Sequence, residues 1–218
     1  MSTKIGIVSE GVSDYQILKH IVGRYLKEYD PNVIALKPKI TNQWKQQGYG
    51  TWQGVFEYIE GNDKLILEAV NEGCEFVIIQ IDTDVSNEYK VTNDLTDIDA
   101  FWSSVKEGLL QSVHSDFPLD KLVFAICIQE IECWLIPFNK SVNEKECVNT
   151  NSCLNILNKH IRTLGTIDKD NKNSQQAQKL YQLILKEKRK PKEIADCARY
   201  NYGFRKFIEQ LDEMKSKI

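Results

Sequence analysis

The chain has 218 residues, 28 Lys and Arg against 31 Asp and Glu for a net charge of -3, and 42% hydrophobic residues. That balance excludes a disordered chain, a fibrous repeat and a membrane-embedded protein, and it leaves no whole-molecule positive field to draw in nucleic acid. The length allows one domain, or one domain with a helical annex.

Lys4 to Ser9 is short, apolar and β-branched and ends at Glu10-Gly11, so it reads as a strand followed by a tight turn. Ile17, Leu18, Ile21, Val22, Tyr25 and Leu26 then recur at helical spacing, with Ser13 as the expected cap and Asp30-Pro31 as the stop. Asn32 to Ile40 reads as a second strand whose far end Pro38 demotes to an edge or a bulge. The stretch from Thr41 to Gly54 is polar and holds Trp44, Tyr49 and Trp52, which marks a long loop. A helical pattern from Val55 to Glu72 breaks at Gly61-Asn62 and is closed by Gly73.

Phe76 to Ile81 is the most strand-like window in the chain, apolar enough to be covered on both faces. An acidic loop follows to Thr96, then a helix from about Asp97 to Val113, then a buried strand from Leu122 to Ile128. This alternation predicts an α/β domain over residues 1-137 with a mainly parallel sheet flanked by helices. Residues 139-151 are polar and read as a linker. The remainder of a helical C-terminal region, 138-218, shows helical patterns at about 152-164, 174-189, 192-200 and 203-216.

The N-terminal ten residues lack a signal-peptide pattern and no run approaches a spanning helix, so the expectation is a cytoplasmic protein without a membrane partner. Six scattered cysteines, with no C-x-x-C pair and no histidine at zinc spacing, predict reduced structural thiols.

Acids fall where they matter. Glu10, the Asp82/Asp84 pair and the Glu130/Glu132 pair each follow a predicted buried strand, and ligand crevices of open parallel sheets lie outside the carboxyl ends of the strands. Alternation puts Asp82 and Asp84 on one side, and likewise Glu130 and Glu132 if that segment stays extended. Any one such acid is ordinary, since caps and turns favour Asp and Glu is usually solvated. Together they form a cluster whose mutual repulsion calls for hard cations, Mg²⁺ or Mn²⁺ rather than zinc.

Ile7-Val-Ser-Glu10-Gly-Val-Ser-Asp14 resembles the first motif of the topoisomerase-primase (TOPRIM) fold, and Asp82-Thr-Asp84 resembles its Asp-x-Asp motif. Glu130-Ile-Glu132-Cys-Trp-Leu is similar to a third acidic motif of OLD-type nucleases and small TOPRIM-like bacterial proteins, and Tyr202-Gly-Phe-Arg-Lys-Phe207 to a helix start near the end of those small proteins. The resemblance implies metal-assisted phosphodiester cleavage of DNA or RNA in anti-phage defence. Glu10, Asp14, Asp82 and Asp84 would be catalytic, and Glu10, Asp82, Asp84, Glu130 and Glu132 would hold Mg²⁺ or Mn²⁺. No G-x-x-x-x-G-K-[ST] occurs, so any ATPase would be a separate partner chain.

Two alternatives stand beside this reading. One is a non-catalytic or partner-activated subunit of an ATPase complex. The other is a haloacid-dehalogenase-like phosphatase using Asp82, although that motif normally opens its fold and Glu10 would then have no role. The basic run around Lys188, Arg189 and Lys190 is a candidate phosphate contact and Trp52 a candidate base-stacking residue. A solvated helix end and a loop-closing tryptophan explain the same residues. No G-x-S-x-G occurs and His20, His114 and His160 lack a recognisable partner, so serine catalysis is not expected.

Overall fold

The computed structural model describes residues 2-38, 51-61, 68-69, 71-113 and 118-218. Trp44, Tyr49 and His114 lie outside the described residues. Four strands, β1 (Lys4–Val8), β2 (Asn32–Lys37), β3 (Phe76–Asp82) and β4 (Leu122–Cys127), form one parallel sheet in the order β2-β1-β3-β4. The sheet is flanked by helices, as the alternating pattern predicts. Helix α1 (Val12–Tyr25) follows β1, α2 (Trp52–Glu60) follows β2, and α3 (Ile98–Ser112) leads toward β4. Among the described residues no helix is long and apolar enough to cross a membrane.

Strand alternation separates two apolar layers. Ile5, Ile7, Phe76, Ile78, Val123 and Ala125 face α1 and the C-terminal helices, whereas Val8, Val77, Ile79, Phe124 and Ile126 face α2 and α3. Because both faces are covered, β3 and β4 read as near-continuous apolar runs rather than alternating ones. Edge strand β2 stops at Lys37, where its register with β1 shifts between Ile7 and Val8, and Pro38 follows through a cis peptide bond.

After β4 come the one-turn helices α4 (Glu132–Leu135) and α5 (Glu144–Cys147), then α6 (Cys153–Ile161), α7 (Gln175–Leu185), α8 (Pro191–Ala198) and α9 (Tyr202–Lys215). The polar stretch read as a linker is part of the fold, because α5 buries Cys147 against Cys133 and Ile136. Residues of α6 to α9 share one apolar cluster with α1 and the sheet, and Trp134 stacks on Phe204 and Phe207 at ring-centroid distances of 4.7 and 5.5 Å.

The cysteine expectation is corrected. Cys133 and Cys153 form a disulfide, while Cys74, Cys127, Cys147 and Cys197 are free. Packing of α6 on α4 brings their Cα atoms to 5.0 Å, within disulfide reach, which their separation of 20 residues does not reveal. Ser13 is corrected as well. The first N–H of the α1 turn, on Gly11, donates to Asp14 Oδ2 at 2.7 Å, and Ser13 is buried with its Oγ donating to the Lys172 carbonyl.

Helix α9 closes the exposed edge of β4. Gln210 accepts from the Phe124 N–H at 2.9 Å and donates to the Phe124 carbonyl at 3.0 Å, replacing the missing neighbour strand. This approach requires Gly203, where an added Cβ would stand 2.2 Å from the Ile126 carbonyl oxygen. Gly23, within α1, has open space around the same position. Gly203→Ala should therefore lower stability by about 3 kcal/mol through overpacking, whereas Gly23→Ala should raise it by about 0.5-1 kcal/mol through helix propensity. Urea denaturation of the two variants checks both signs.

Candidate active site at the carboxyl ends of the strands

The sheet order reverses between β1 and β3: from β1 the chain moves outward to β2, then returns to the other side for β3 and β4. A crevice opens at such a switch point, outside the strand carboxyl ends. Glu10 leaves β1 there and Asp82 ends β3. Glu10 Oε1 accepts from the Asp82 N–H at 2.7 Å, although 71 residues of chain separate the two positions. A cleft of about 380 Å³ lies over this junction, lined by Glu10, Asp14, Asp82, Asp84, Trp52 and Lys172 among others.

Each acid is held by a specific device. Asp82 Oδ1 accepts from the Ile131 N–H at 3.1 Å and from Gln80 Nε2 at 2.9 Å. Asp14 reaches the cleft from the first turn of α1, its Oδ2 taken by Gly11. Asp84 stands in the turn after β3, where its own N–H donates to the Gln129 carbonyl. The four predicted catalytic acids thus share one cleft.

Glu130 and Glu132 behave differently. The extended continuation of β4 is not what forms: Gln129 takes a left-handed conformation with φ of 67° and Glu132 opens α4. Helical backbone turns Glu132 inward, where it is 1% exposed, accepts from the Tyr181 hydroxyl at 2.6 Å and pairs with Lys172 at 3.2 Å. Lys172 also bridges to Glu130 at 3.2 Å. Neither glutamate is among the residues lining the cleft.

Four residues at the site have little or no signature in sequence. Gln80, fully buried, stands out in sequence only as a polar residue inside an apolar strand. Lys172 and Asn173 come from the polar loop before α7, and Asn173 Oδ1 fastens that loop to α1 by accepting from the Ser13 N–H at 3.0 Å. Lys37, at the end of β2, stands close enough to Glu10 and Asp14 to favour their charged forms.

Trp52 opens α2 at the cleft rim, packs on Phe56 and Tyr89, and donates its ring N–H to Glu88 at 3.0 Å. Lys188, Arg189 and Lys190 lie elsewhere. The Lys188 carbonyl meets His20 Nε2, eight residues along α1 from Val12 and so about 12 Å from the site end of that helix. Arg189 and Lys190 donate their backbone N–H groups to Glu193.

The histidine expectation changes too. His160 has partners, Ser141 Oγ at 2.9 Å and Glu146 at 3.1 Å, and His20 has the Lys188 carbonyl. Ser141 Oγ also meets Asn139 Oδ1 at 2.9 Å, and Glu146 is shared with Lys159 at 2.8 Å. The network ties α5 to α6.

Electrostatics set the clustered acids apart. Burial, with repulsion from Asp14 and Asp84, pushes Glu10 up to about 8 even though the Asp82 N–H opposes the rise. Burial and Glu132 push Asp14 up to about 6, and burial together with Glu10 and Asp14 raises Asp82 well above the usual carboxylate range. Lys172 runs the other way: burial disfavours its charge, yet Glu132, Asp82 and Glu130 hold it protonated.

Among the described residues no three His, Cys, Asp or Glu side chains are gathered into a group that could hold a metal ion. In chemistry, however, the donors fit a hard cation. They are all carboxylates, they converge on one cleft, and burial together with their mutual repulsion holds protons on them that a cation could replace.

A stability consequence follows from the raised values. A carboxyl whose folded pKa exceeds its unfolded value binds more protons when folded, so its contribution is complete below about pH 4 and is lost as pH rises through the folded value. Without divalent cations the thermal midpoint should fall between pH 5 and pH 8, Asp14 acting through about 6 and Glu10 through about 8. His20, lowered by burial, works in the opposite sense, so the slope is read as the difference between wild type and Glu10→Gln. Glu10→Gln keeps an acceptor for the Asp82 N–H and should recover on the order of 2 kcal/mol at pH 8. A pH series of thermal melts in EDTA measures it. Compared with protein-family models, with curated proteins and with solved structures, the chain finds no match.

Proposed function

We propose that the protein is a Mg²⁺- or Mn²⁺-dependent nuclease that hydrolyses phosphodiesters of DNA or RNA on a TOPRIM-like sheet. The observation that carries this reading is the meeting of Glu10, Asp14, Asp82 and Asp84 in one cleft at the sheet's switch point. The role in anti-phage defence rests on the motif resemblance alone, and the cytoplasmic location on the sequence pattern alone.

Asp82, with Oδ1 held by Ile131 and Gln80, would present its other oxygen to the cleft, and Asp84 would add a carboxylate from the following turn. Together with Glu10 they would hold the cation. When bound there, a divalent cation would polarise the phosphodiester and lower the pKa of an attacking water. Glu10 keeps Oε1 on the Asp82 N–H and, before a cation binds, has a proton affinity near neutrality, so its one remaining oxygen would serve either as a ligand or as the group that gives or takes a proton. Asp14 raises that affinity by repulsion. Lys172, held protonated at the cleft wall, offsets phosphate charge, and Asn173 beside it offers an amide donor.

The phosphatase alternative gives Glu10 no task, whereas its contact with Asp82 makes it part of the same unit. A partner-activated subunit has one observation in its favour. Beyond Trp52 the cleft passes into a groove of about 1280 Å³ whose charged lining is Glu57, Glu60, Glu88, Asp94, Asp97 and Glu107 against Lys90, an excess of acid that would repel a duplex backbone and suit a basic protein face.

Cleavage of supercoiled plasmid and of RNA by the purified chain, with Mg²⁺, Mn²⁺ or EDTA, decides between these readings. The nuclease reading expects activity that EDTA abolishes and that Glu10→Ala and Asp82→Ala each lower by about 100-fold or more. Activity appearing only after an ATPase partner is added favours the subunit reading. Cleavage in EDTA that survives both substitutions overturns the metal-dependent mechanism.

A further inference from the structure

Gln80 is fully buried within the strand that delivers Asp82. Burying an amide costs free energy unless its hydrogen bonds are made, and an apolar side chain of similar length would fill the same space at lower cost. Both ends of this amide are engaged. Its Oε1 accepts from the Glu10 N–H at 3.0 Å, which fixes the orientation of the group, and Nε2 is thereby aimed at Asp82 Oδ1 at 2.9 Å. Glu10 Oε1 in turn accepts from the Asp82 N–H, so three side-chain contacts close a ring joining the end of β1 to the end of β3.

We infer that Gln80 is a positioning residue: its amide holds the backbone of Glu10 and the carboxylate of Asp82 in one fixed relation, so that both acids present their remaining oxygens to a cation in the cleft. The inference rests on the metal-dependent reading above. Gln80 itself reaches neither cation nor substrate, and it is not among the residues lining the cleft. Its effect passes through Asp82 and Glu10, as buried partners of metal ligands act on affinity without touching the ion.

The test is a Mn²⁺ titration of the full chain, followed by the electron paramagnetic resonance signal of free Mn²⁺, with thermal midpoints measured alongside. Gln80→Met keeps the volume and removes both bonds. It should weaken Mn²⁺ binding about 10-fold or more while the circular dichroism spectrum stays native. Gln80→Glu keeps the acceptor for Glu10 and turns an oxygen toward Asp82, and it should weaken binding at pH 8 to a similar degree; it decides the matter should Gln80→Met not fold. Phe204→Leu, a cavity variant away from the cleft, controls for lost stability and should bind Mn²⁺ within twofold of wild type. Wild-type affinity in the folded Gln80 variants, or an equal loss in Phe204→Leu, overturns the positioning role and leaves the metal reading intact. A wild-type chain that binds no Mn²⁺ overturns both.

Discussion

Carboxylates that cannot all be ionised at once govern this structure. A parallel sheet whose order reverses at β1 and β3 brings Glu10 and Asp82 into contact, and desolvation then makes their charge expensive. The chain meets that cost with directed dipoles rather than with counter-ions alone. The N–H groups of Gly11, Asp82 and Ile131 and the amide of Gln80 all point at carboxylate oxygens. Hydrogen bonds to an ionised acceptor are about twice as strong as neutral ones, so several together make such crowding tolerable.

The same acids recruit the C-terminal helices. Lys172 enters from the loop before α7 to bridge Glu130 and Glu132, Tyr181 of α7 donates to Glu132, and the Lys172 carbonyl and Asn173 take the Oγ–H and N–H of Ser13. Farther along α1, Gln16 meets Gln178 and Tyr25 meets Asp212. These polar contacts surround an apolar layer shared by α1, the sheet and α6 to α9. Removing the tail would expose that layer and leave Glu132 buried without its partners, a much larger loss than the polarity of its loops suggests.

Reading the sequence recovered what depends on local pattern. Phe76 to Ile81 is a strand because β-branched, apolar residues suit a doubly covered sheet, and α6 to α9 form where apolar residues recur at helical spacing. Glu10, Asp14, Asp82 and Asp84 could be placed together because strand ends in a parallel sheet share one rim. What could not be read depends on partners distant in sequence. Ser13 reads as a cap, yet the helix already opens at Val12, Asp14 takes the Gly11 N–H and the Lys172 carbonyl takes the Ser13 hydroxyl. Glu132 looked like an extended-strand acid until Tyr181 and Lys172, 49 and 40 residues away, drew it into the interior. The disulfide joining Cys133 to Cys153 has the same origin, since only the docking of α6 on α4 sets their distance.

That division also sorts the six acids by task. Lys172 is shared between Glu130 and Glu132, and Tyr181 takes the remaining Glu132 oxygen, so on the β4 side of the rim Glu132 has both oxygens partnered within the protein and Glu130 is bridged to the same lysine. On the β1 and β3 side the same Lys172 also acts on Asp14, Asp82 and Asp84, and Lys37 adds a charge that its burial disfavours. The four carboxylates of Glu10, Asp14, Asp82 and Asp84, which line the cleft together with Glu88, outnumber Lys37 and the shared Lys172. Under the proposed function, an ion would gain most at that side, where it displaces protons held near neutrality, and least beside Glu132, where it would have to displace a lysine already paired. The motif resemblance assigns metal to both sides alike; under the proposed function, the pairing of Glu130 and Glu132 with Lys172 would make the first side the easier one for an ion to enter.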